Sequence, residues 1–224
     1  MTANPALGAV LFDLDGVIVS TDEYHYRAWK RMADAEGVYF DRKINERLRG
    51  VSRMASLEIV LEKASRPYTS EEKQAMAEKK NLWYQQLIGQ LTPAALLPGA
   101  LEFLKAVRAE GLKTAVASSS KNAGRILERV GLADSFDAVV TGADIRHSKP
   151  DPEVFLLAAG RVGVEPIRCL VVEDSYAGID AASAGGMRSL GVGYAAGYGG
   201  ADFHAANLAA ADIGTILCAC AAAK

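Results

Sequence analysis

The chain has 224 residues, half of them apolar, enough for one large domain or two modest ones around a proper core. A formal net charge of −2 and a pI near 6.0 exclude a broad surface for nucleic acid or anionic membrane, so any recognition of phosphate has to be local. No run of about 18 uncharged apolar residues reads as a membrane span, the apolar start at 7–12 lacks the basic flank of a signal peptide, and three cysteines form no extracellular framework.

In chain order, residues 9–12 (AVLF) read as a buried strand that ends in Asp13-Leu14-Asp15-Gly16, two carboxylates one residue apart before a glycine. In open α/β sheets the ligand crevice lies beyond the carboxyl ends of the strands, and glycine lets backbone approach a ligand closely. On composition alone the same four residues also make an ordinary turn. The pattern then becomes helical over 24–36, 44–48, 54–64 and 71–90, with Gly37, Gly50, Pro67 and Gly89 as punctuation. Ser70-Glu71-Glu72-Lys73 has the acidic first turn of a helix start. Strand and helix alternate only after Pro98-Gly99, with helices at 101–110, 123–130, 152–162 and 177–184 and strands at 114–117, 138–141, 170–172 and 188–192. That series predicts an α/β fold with a doubly wound parallel sheet of five strands. Its core domain comprises residues 1–19 and 98–224, and residues 20–97 form an inserted helical cap domain. The glycine-rich stretch 191–200 reads as a surface loop, and the Ala-rich end gives no clear element.

The strand ends carry the chemistry. Ser118-Ser119-Ser120 follows one strand and precedes a helix start, where free N–H groups suit an anion. Ser148-Lys149-Pro150-Asp151-Pro152 holds a cation in a stretch that two prolines keep out of helix. Glu173-Asp174-Ser175 ends another strand with hard oxygen donors of the kind magnesium takes, one or two carboxylates beside a substrate phosphate. Cys218-Ala219-Cys220 finds no zinc partners, because His25, His147 and His204 are scattered along the chain.

These four pieces in this order resemble the haloacid dehalogenase-like superfamily of aspartate-nucleophile phosphotransferases, over residues 9–193. The runs 21–30 (TDEYHYRAWK), 48–53 (LRGVSR) and 117–122 (ASSSKN) look like the β-phosphoglucomutase branch in particular. The resemblance implies Asp13 as nucleophile and Asp15 as general acid/base, with Ser118 and Lys149 holding the transferring phosphate. Mg2+ would be held by the Asp13 carboxylate, the Asp15 carbonyl and Asp174, with Glu173 beside them. A mutase also needs a second phosphate site. For it the resemblance offers Gly50, Val51, Ser52, Arg53, Lys80 and Asn81 on the insertion, and Ser120, Lys121 and Asn122 on the core. Arg53 would grip the distal phosphate through a bidentate fork. Thr21 and His25, just past the first linker, would hold Asp15 away from the nucleophile until the two bodies close, and Trp29 would divide between bundle core and sugar. As residue pattern alone, Lys79-Lys80 is an ordinary solvated helix face.

The expected activity is interconversion of β-D-glucose 1-phosphate and glucose 6-phosphate, with β-glucose 1,6-bisphosphate as intermediate and activator. The expected setting is a cytoplasmic monomer whose partner is a small sugar phosphate, without nucleic acid or membrane. Two readings compete. A phosphatase of the same superfamily would pass the phosphoryl group to water, whereas a non-catalytic binding protein on this scaffold would have no need to keep Asp13, Asp15, Lys149 and Asp174 together.

Overall fold

The computed structural model describes residues 6–49 and 51–222. Its first strand, β1 (Ala9–Phe12), is apolar and buried at every position, as suits a parallel strand covered on both faces. Four helices follow: α1 (Asp22–Ala35), α2 (Arg42–Glu46), α3 (Arg53–Leu61) and α4 (Ser70–Ile88). The chain continues through α5 (Ala100–Ala109), β2 (Lys113–Ala117), α6 (Ala123–Arg129), β3 (Ala138–Val140), α7 (Glu153–Val162), β4 (Cys169–Glu173), α8 (Tyr176–Ala184), β5 (Arg188–Gly191), β6 (Phe203–His204) and α9 (Ile213–Ala222).

All pairings in the sheet are parallel, in the order β3-β2-β1-β4-β5-β6. Phe12 sits opposite both Val116 and Val172, so Asp13, Ala117 and Glu173 emerge side by side at the carboxyl edge. The chain order reverses across β1, and this is where an open α/β sheet opens its crevice. Among the described residues there are six strands, not the five expected. The sixth, β6, has two residues, too short to show any periodicity. The stretch expected as a plain surface loop is also partly packed: Gly191 belongs to β5, a single 3-10 turn covers Gly193–Ala195, and Ala195 is fully buried. A Cβ on Gly191 would lie 2.4 Å from the Ala195 carbonyl oxygen, so the turn closes only over glycine.

The helical insertion has its own apolar cluster, with Trp29, Met32, Phe40, Leu57, Val60 and Met76 buried together. Its longest helix, α4, starts one residue earlier than the acidic signal suggested. Thr69 is the N-cap, and its hydroxyl and the Glu72 carboxylate exchange bonds with each other's backbone N–H in a capping box. Where the chain leaves and re-enters the sheet region, the two linkers lie alongside each other, with the Leu97 N–H donating to the Ile18 carbonyl at 2.9 Å. In α9 Cys220 is buried among core residues and Cys218 is exposed, as two positions two residues apart on a helix must be.

Candidate active site

The centre of the site is a buried ion cluster at the ends of β1 and β4. Lys149 Nζ donates to Asp13 Oδ1 at 2.6 Å and to Glu173 Oε2 at 2.7 Å. The second Glu173 oxygen accepts the backbone N–H groups of Asp174 and Ser175, both at 3.0 Å, and the Ser175 hydroxyl at 2.9 Å. Glu173 is therefore committed on both oxygens. A Cβ on Gly178 would stand 2.0 Å from Glu173 Oε2, so the first turn of α8 admits this carboxylate only because it carries glycine there. Gly16, at φ +83°, serves the opposite wall, where a Cβ would come within 2.0 Å of Asp174 Oδ2. The loop bearing Lys149 is braced by Glu153, whose Oε2 accepts the N–H groups of Arg146 at 3.0 Å and His147 at 2.7 Å.

Burial pushes the Asp13 carboxyl up to about 7, against the pull of Lys149 and with the push of Glu173. Asp174 rises to about 9, through burial and then the neighbouring charges of Glu173 and Asp13, which Arg49 only partly offsets. Lys149 stays protonated: burial works against its charge, but Asp13 and Glu173 together hold it above the ordinary lysine range. Oxygens of Asp13, Glu173 and Asp174 lie within 4.8 Å of one another. The cluster thus sets three carboxyl groups against one lysine, and the oxygens of Asp13 and Asp174, which hold protons readily given up to a cation, remain for one once Glu173 is committed to Lys149. Two carboxylate ligands on a hard, partly hydrated ion is the pattern magnesium favours, so the residues present fit it.

Asp15 faces a second set of groups. The Thr21 hydroxyl donates to Asp15 Oδ1, and the Tyr84 hydroxyl donates to Thr21 Oγ1 at 3.1 Å. Burial lifts Asp15 to about 6, with the Thr21 bond acting against the rise. His25 was expected beside Asp15. Here its Nδ1 pairs instead with Lys80 Nζ at 3.0 Å, while its ring packs on Tyr84 with centroids 4.1 Å apart. Lys80 overturns the solvated-face reading of the 79–80 run. Lys79 is exposed, but Lys80 is 2% exposed, with its ammonium 4.6 Å from the Trp29 ring centroid and 4.7 Å from that of Tyr84. Burial and the Arg53 charge bring Lys80 down to about 7, and burial, Lys80 and Arg53 keep His25 well below its usual value. A neutral imidazole accepting from an ammonium accounts for the pair.

On the core side, Ser118 is buried and its hydroxyl accepts the Ser120 N–H at 3.1 Å, while the Ser120 hydroxyl accepts the Asn122 N–H at 3.2 Å. These serines hold the turn before α6. Asn122 connects this turn to α4: its Nδ2 donates to Asn81 Oδ1 and its Oδ1 accepts from Gln85 Nε2, both at 3.0 Å. Lys121 is exposed at the rim. Arg53 is half-buried in the first turn of α3, where Ser52 acts as N-cap and accepts from the Ala55 N–H at 3.4 Å. Val51 is half-buried beside it, and Gly50 lies outside the described residues. One cavity of about 380 Å³ is lined by Asp13, Asp15, Lys149 and Asp174 together with Arg53, Lys80, Asn81 and Asn122.

Four neighbours of the site were not singled out from the sequence: Asp22, Arg49, Tyr84 and Gln85. Arg49 pairs with Asp22 on α1 and reaches Asp174 Oδ2 at 3.5 Å, crossing from insertion to sheet. It stood inside the 48–53 run without an assigned partner. Tyr84 and Gln85 follow Lys80 and Asn81 by four residues each, so helical spacing puts all four on adjoining rows of α4.

A parallel sheet whose central strand ends in a buried Asp–Lys pair, with a second aspartate two residues on and a cation-ready carboxylate on the next strand, defines an α/β enzyme scaffold suited to phosphoryl transfer. The chain belongs to the haloacid dehalogenase-like hydrolases, whose family model matches residues 7–186. It is 47% identical over 187 residues to the β-phosphoglucomutase of Bacillus subtilis (strain 168), a match covering 83% of each chain. It is 32% identical over 185 residues to the phosphorylated carbohydrates phosphatase of Thermotoga maritima, covering 81% of this chain and 83% of that one. Among solved structures, a β-phosphoglucomutase from Clostridium difficile superposes with a TM-score of 0.88 at 38% identity, covering 94% of this chain and 95% of its own.

Proposed function

We propose that the protein is a β-phosphoglucomutase, interconverting β-D-glucose 1-phosphate and glucose 6-phosphate through an aspartyl phosphate and β-glucose 1,6-bisphosphate. One observation carries the reading: a single cavity presents two sets of anion-binding groups, Lys149 with the Asp13–Asp174 cluster and, from the helical insertion, Arg53 and Lys80 with Asn81 and Asn122. A bisphosphate needs both sets. The 47% identity to the Bacillus subtilis β-phosphoglucomutase supports the same substrate class. A phosphatase, the reading that the Thermotoga maritima relative favours, needs only the first set.

In the proposed cycle an Asp13 carboxylate oxygen attacks the phosphorus in line, and the bond to the sugar oxygen breaks. Lys149, bonded to Asp13, keeps positive charge beside the equatorial oxygens. Asp15 gives its proton to the departing sugar oxygen, and in the second half-reaction takes one from the incoming hydroxyl. Its position near 6 suits both directions at neutral pH. The Asp13 and Asp174 carboxylates, with the Asp15 carbonyl, would hold magnesium, which would supply positive charge to the phosphoryl oxygens. Arg53, Ser120 and Asn122 bind the phosphate that is not being transferred. Residues 20–97 act as a cap over residues 1–19 and 98–224, closing through Asn81–Asn122 and Arg49–Asp174.

The test is a coupled assay with β-glucose 1-phosphate, Mg2+ and a trace of β-glucose 1,6-bisphosphate. Glucose 6-phosphate should accumulate at a rate set by the bisphosphate, with little free phosphate. Stoichiometric phosphate release without glucose 6-phosphate would establish the phosphatase instead.

A further inference from the structure

We propose that Tyr84 is a positioning residue for the acid/base Asp15, acting through the hydroxyl of Thr21; the inference rests on the mutase reading. The three side chains come from three places: the end of β1, the linker and α4. The Tyr84 hydroxyl donates to Thr21 Oγ1 at 3.1 Å, and Thr21 Oγ1 donates to Asp15 Oδ1. Thr21 and Tyr84 are each 1% exposed, so water has little access to either hydroxyl.

The direction of the chain follows from donor inventory. A carboxylate only accepts, so Asp15 can receive a hydrogen but has none to give Thr21 in that state. Burial holds the Tyr84 phenol well above its usual pKa, so it remains a donor. Thr21 has a single hydroxyl hydrogen. With the Tyr84 hydrogen on one of its lone pairs, that hydrogen is turned away from Tyr84, toward Asp15 Oδ1. Without Tyr84 the hydroxyl is free to rotate and to accept elsewhere. Tyr84 is itself clamped, with the His25 ring packed against it at a tilt, centroids 4.1 Å apart, and the Lys80 ammonium 4.7 Å from its ring centroid. The orientation of Asp15 is thereby tied, through Thr21, to the seating of α4.

Tyr84→Phe isolates the effect, because it keeps the ring, the His25 ring contact and the Lys80 contact and deletes one oxygen. We expect kcat for glucose 6-phosphate formation to fall about 3- to 10-fold, the equivalent of one neutral hydrogen bond, with KM within about 2-fold of wild type. Added to Thr21→Val, Tyr84→Phe should cost nothing further, since both remove the same chain. Wild-type kcat in Tyr84→Phe, or losses that multiply in the double variant, would overturn the proposal, because a purely structural tyrosine adds independently. If Tyr84→Phe fails to fold, Thr21→Ser and Thr21→Val carry the test. Serine should keep kcat near wild type and valine should lose it, and equal kcat in the two overturns the link. Should wild type release phosphate and form no glucose 6-phosphate, the mutase reading falls by itself. The same cycle run on that phosphate release still decides Tyr84, because Asp15 protonates the departing sugar in either reaction.

Discussion

Replacing Asp174 by asparagine should make the metal-free protein more stable while removing its response to magnesium. Carboxylate oxygens of Asp174, Asp13 and Glu173 lie within 4.8 Å of one another in a buried site. An ionised Asp174 would be repelled by each of the other two by about 3.5 kcal/mol at an effective dielectric of about 20. Together with burial this holds its carboxyl up to about 9, so at neutral pH the metal-free protein keeps a proton there that the unfolded chain has released, at a cost in stability. Asp174 faces two such neighbours, and Lys149, bonded to both, offsets roughly one of the two repulsions. The Arg49 contact that asparagine would weaken is 3.5 Å long with a third of the Arg49 side chain exposed, worth under about 1 kcal/mol. The net expectation is about 1–3 kcal/mol of stabilisation in chelator, roughly 3–10 °C in Tm for a chain of this size. Thermal melts of wild type and Asp174→Asn in EDTA and in excess Mg2+ provide the assay. Magnesium should raise the wild-type Tm and leave the variant unmoved, so the order of the two reverses on adding metal. A variant that melts below wild type in EDTA would refute the reasoning, because Asp174 would then be a net source of stability and its charge already balanced within the protein.

Asp13→Asn should lower turnover by about 10⁴-fold or more while the fold persists, read by the coupled assay and by circular dichroism; turnover near wild type would exclude Asp13 as nucleophile. Arg53→Ala should reduce mutase kcat/KM by roughly 30- to 1000-fold, a charge-assisted bidentate contact, while hydrolysis of acetyl phosphate falls far less. Equal losses in both rates would assign Arg53 to the fold or to the transferring phosphate. Asp13 and Asp15 sit at about 7 and about 6, above their ordinary 3.8, so the native state keeps protons that the unfolded chain has released. Their contribution to the stability of the metal-free protein therefore declines as pH rises from about 4 to about 7, and Asp15 or Asp13 neutralised to asparagine should flatten the fall of the urea midpoint with pH; an unchanged slope counts against the shifts. Gly178→Ala should cost about 1–3 kcal/mol in urea unfolding, because its Cβ meets a glutamate held at both oxygens; no loss would mean that Glu173 is free to move.

The sequence by itself determined the order of elements and the residues at the strand ends. An apolar run that breaks into Asp13-Leu14-Asp15-Gly16, and others that break into Ser118 and Glu173-Asp174, are local patterns, and the parallel sheet requires those breaks to share one edge. Helix boundaries were legible to within a residue or two wherever caps and glycines mark them, as at Thr69 and Gly89. Tertiary structure decided the rest, because residues far apart in the chain meet only through packing. Lys80 and Lys79 are adjacent and chemically identical, but the seating of α4 against α1 buries one over Trp29 and Tyr84 and leaves the other in solvent. Arg49 finds Asp174 across 125 positions, and Tyr84 reaches Thr21 across 63. The two-residue strand β6 exists only because β5 offers it an edge. Periodicity encodes which face of a helix or strand is apolar, but it carries no information about which distant polar group that face will be pressed against.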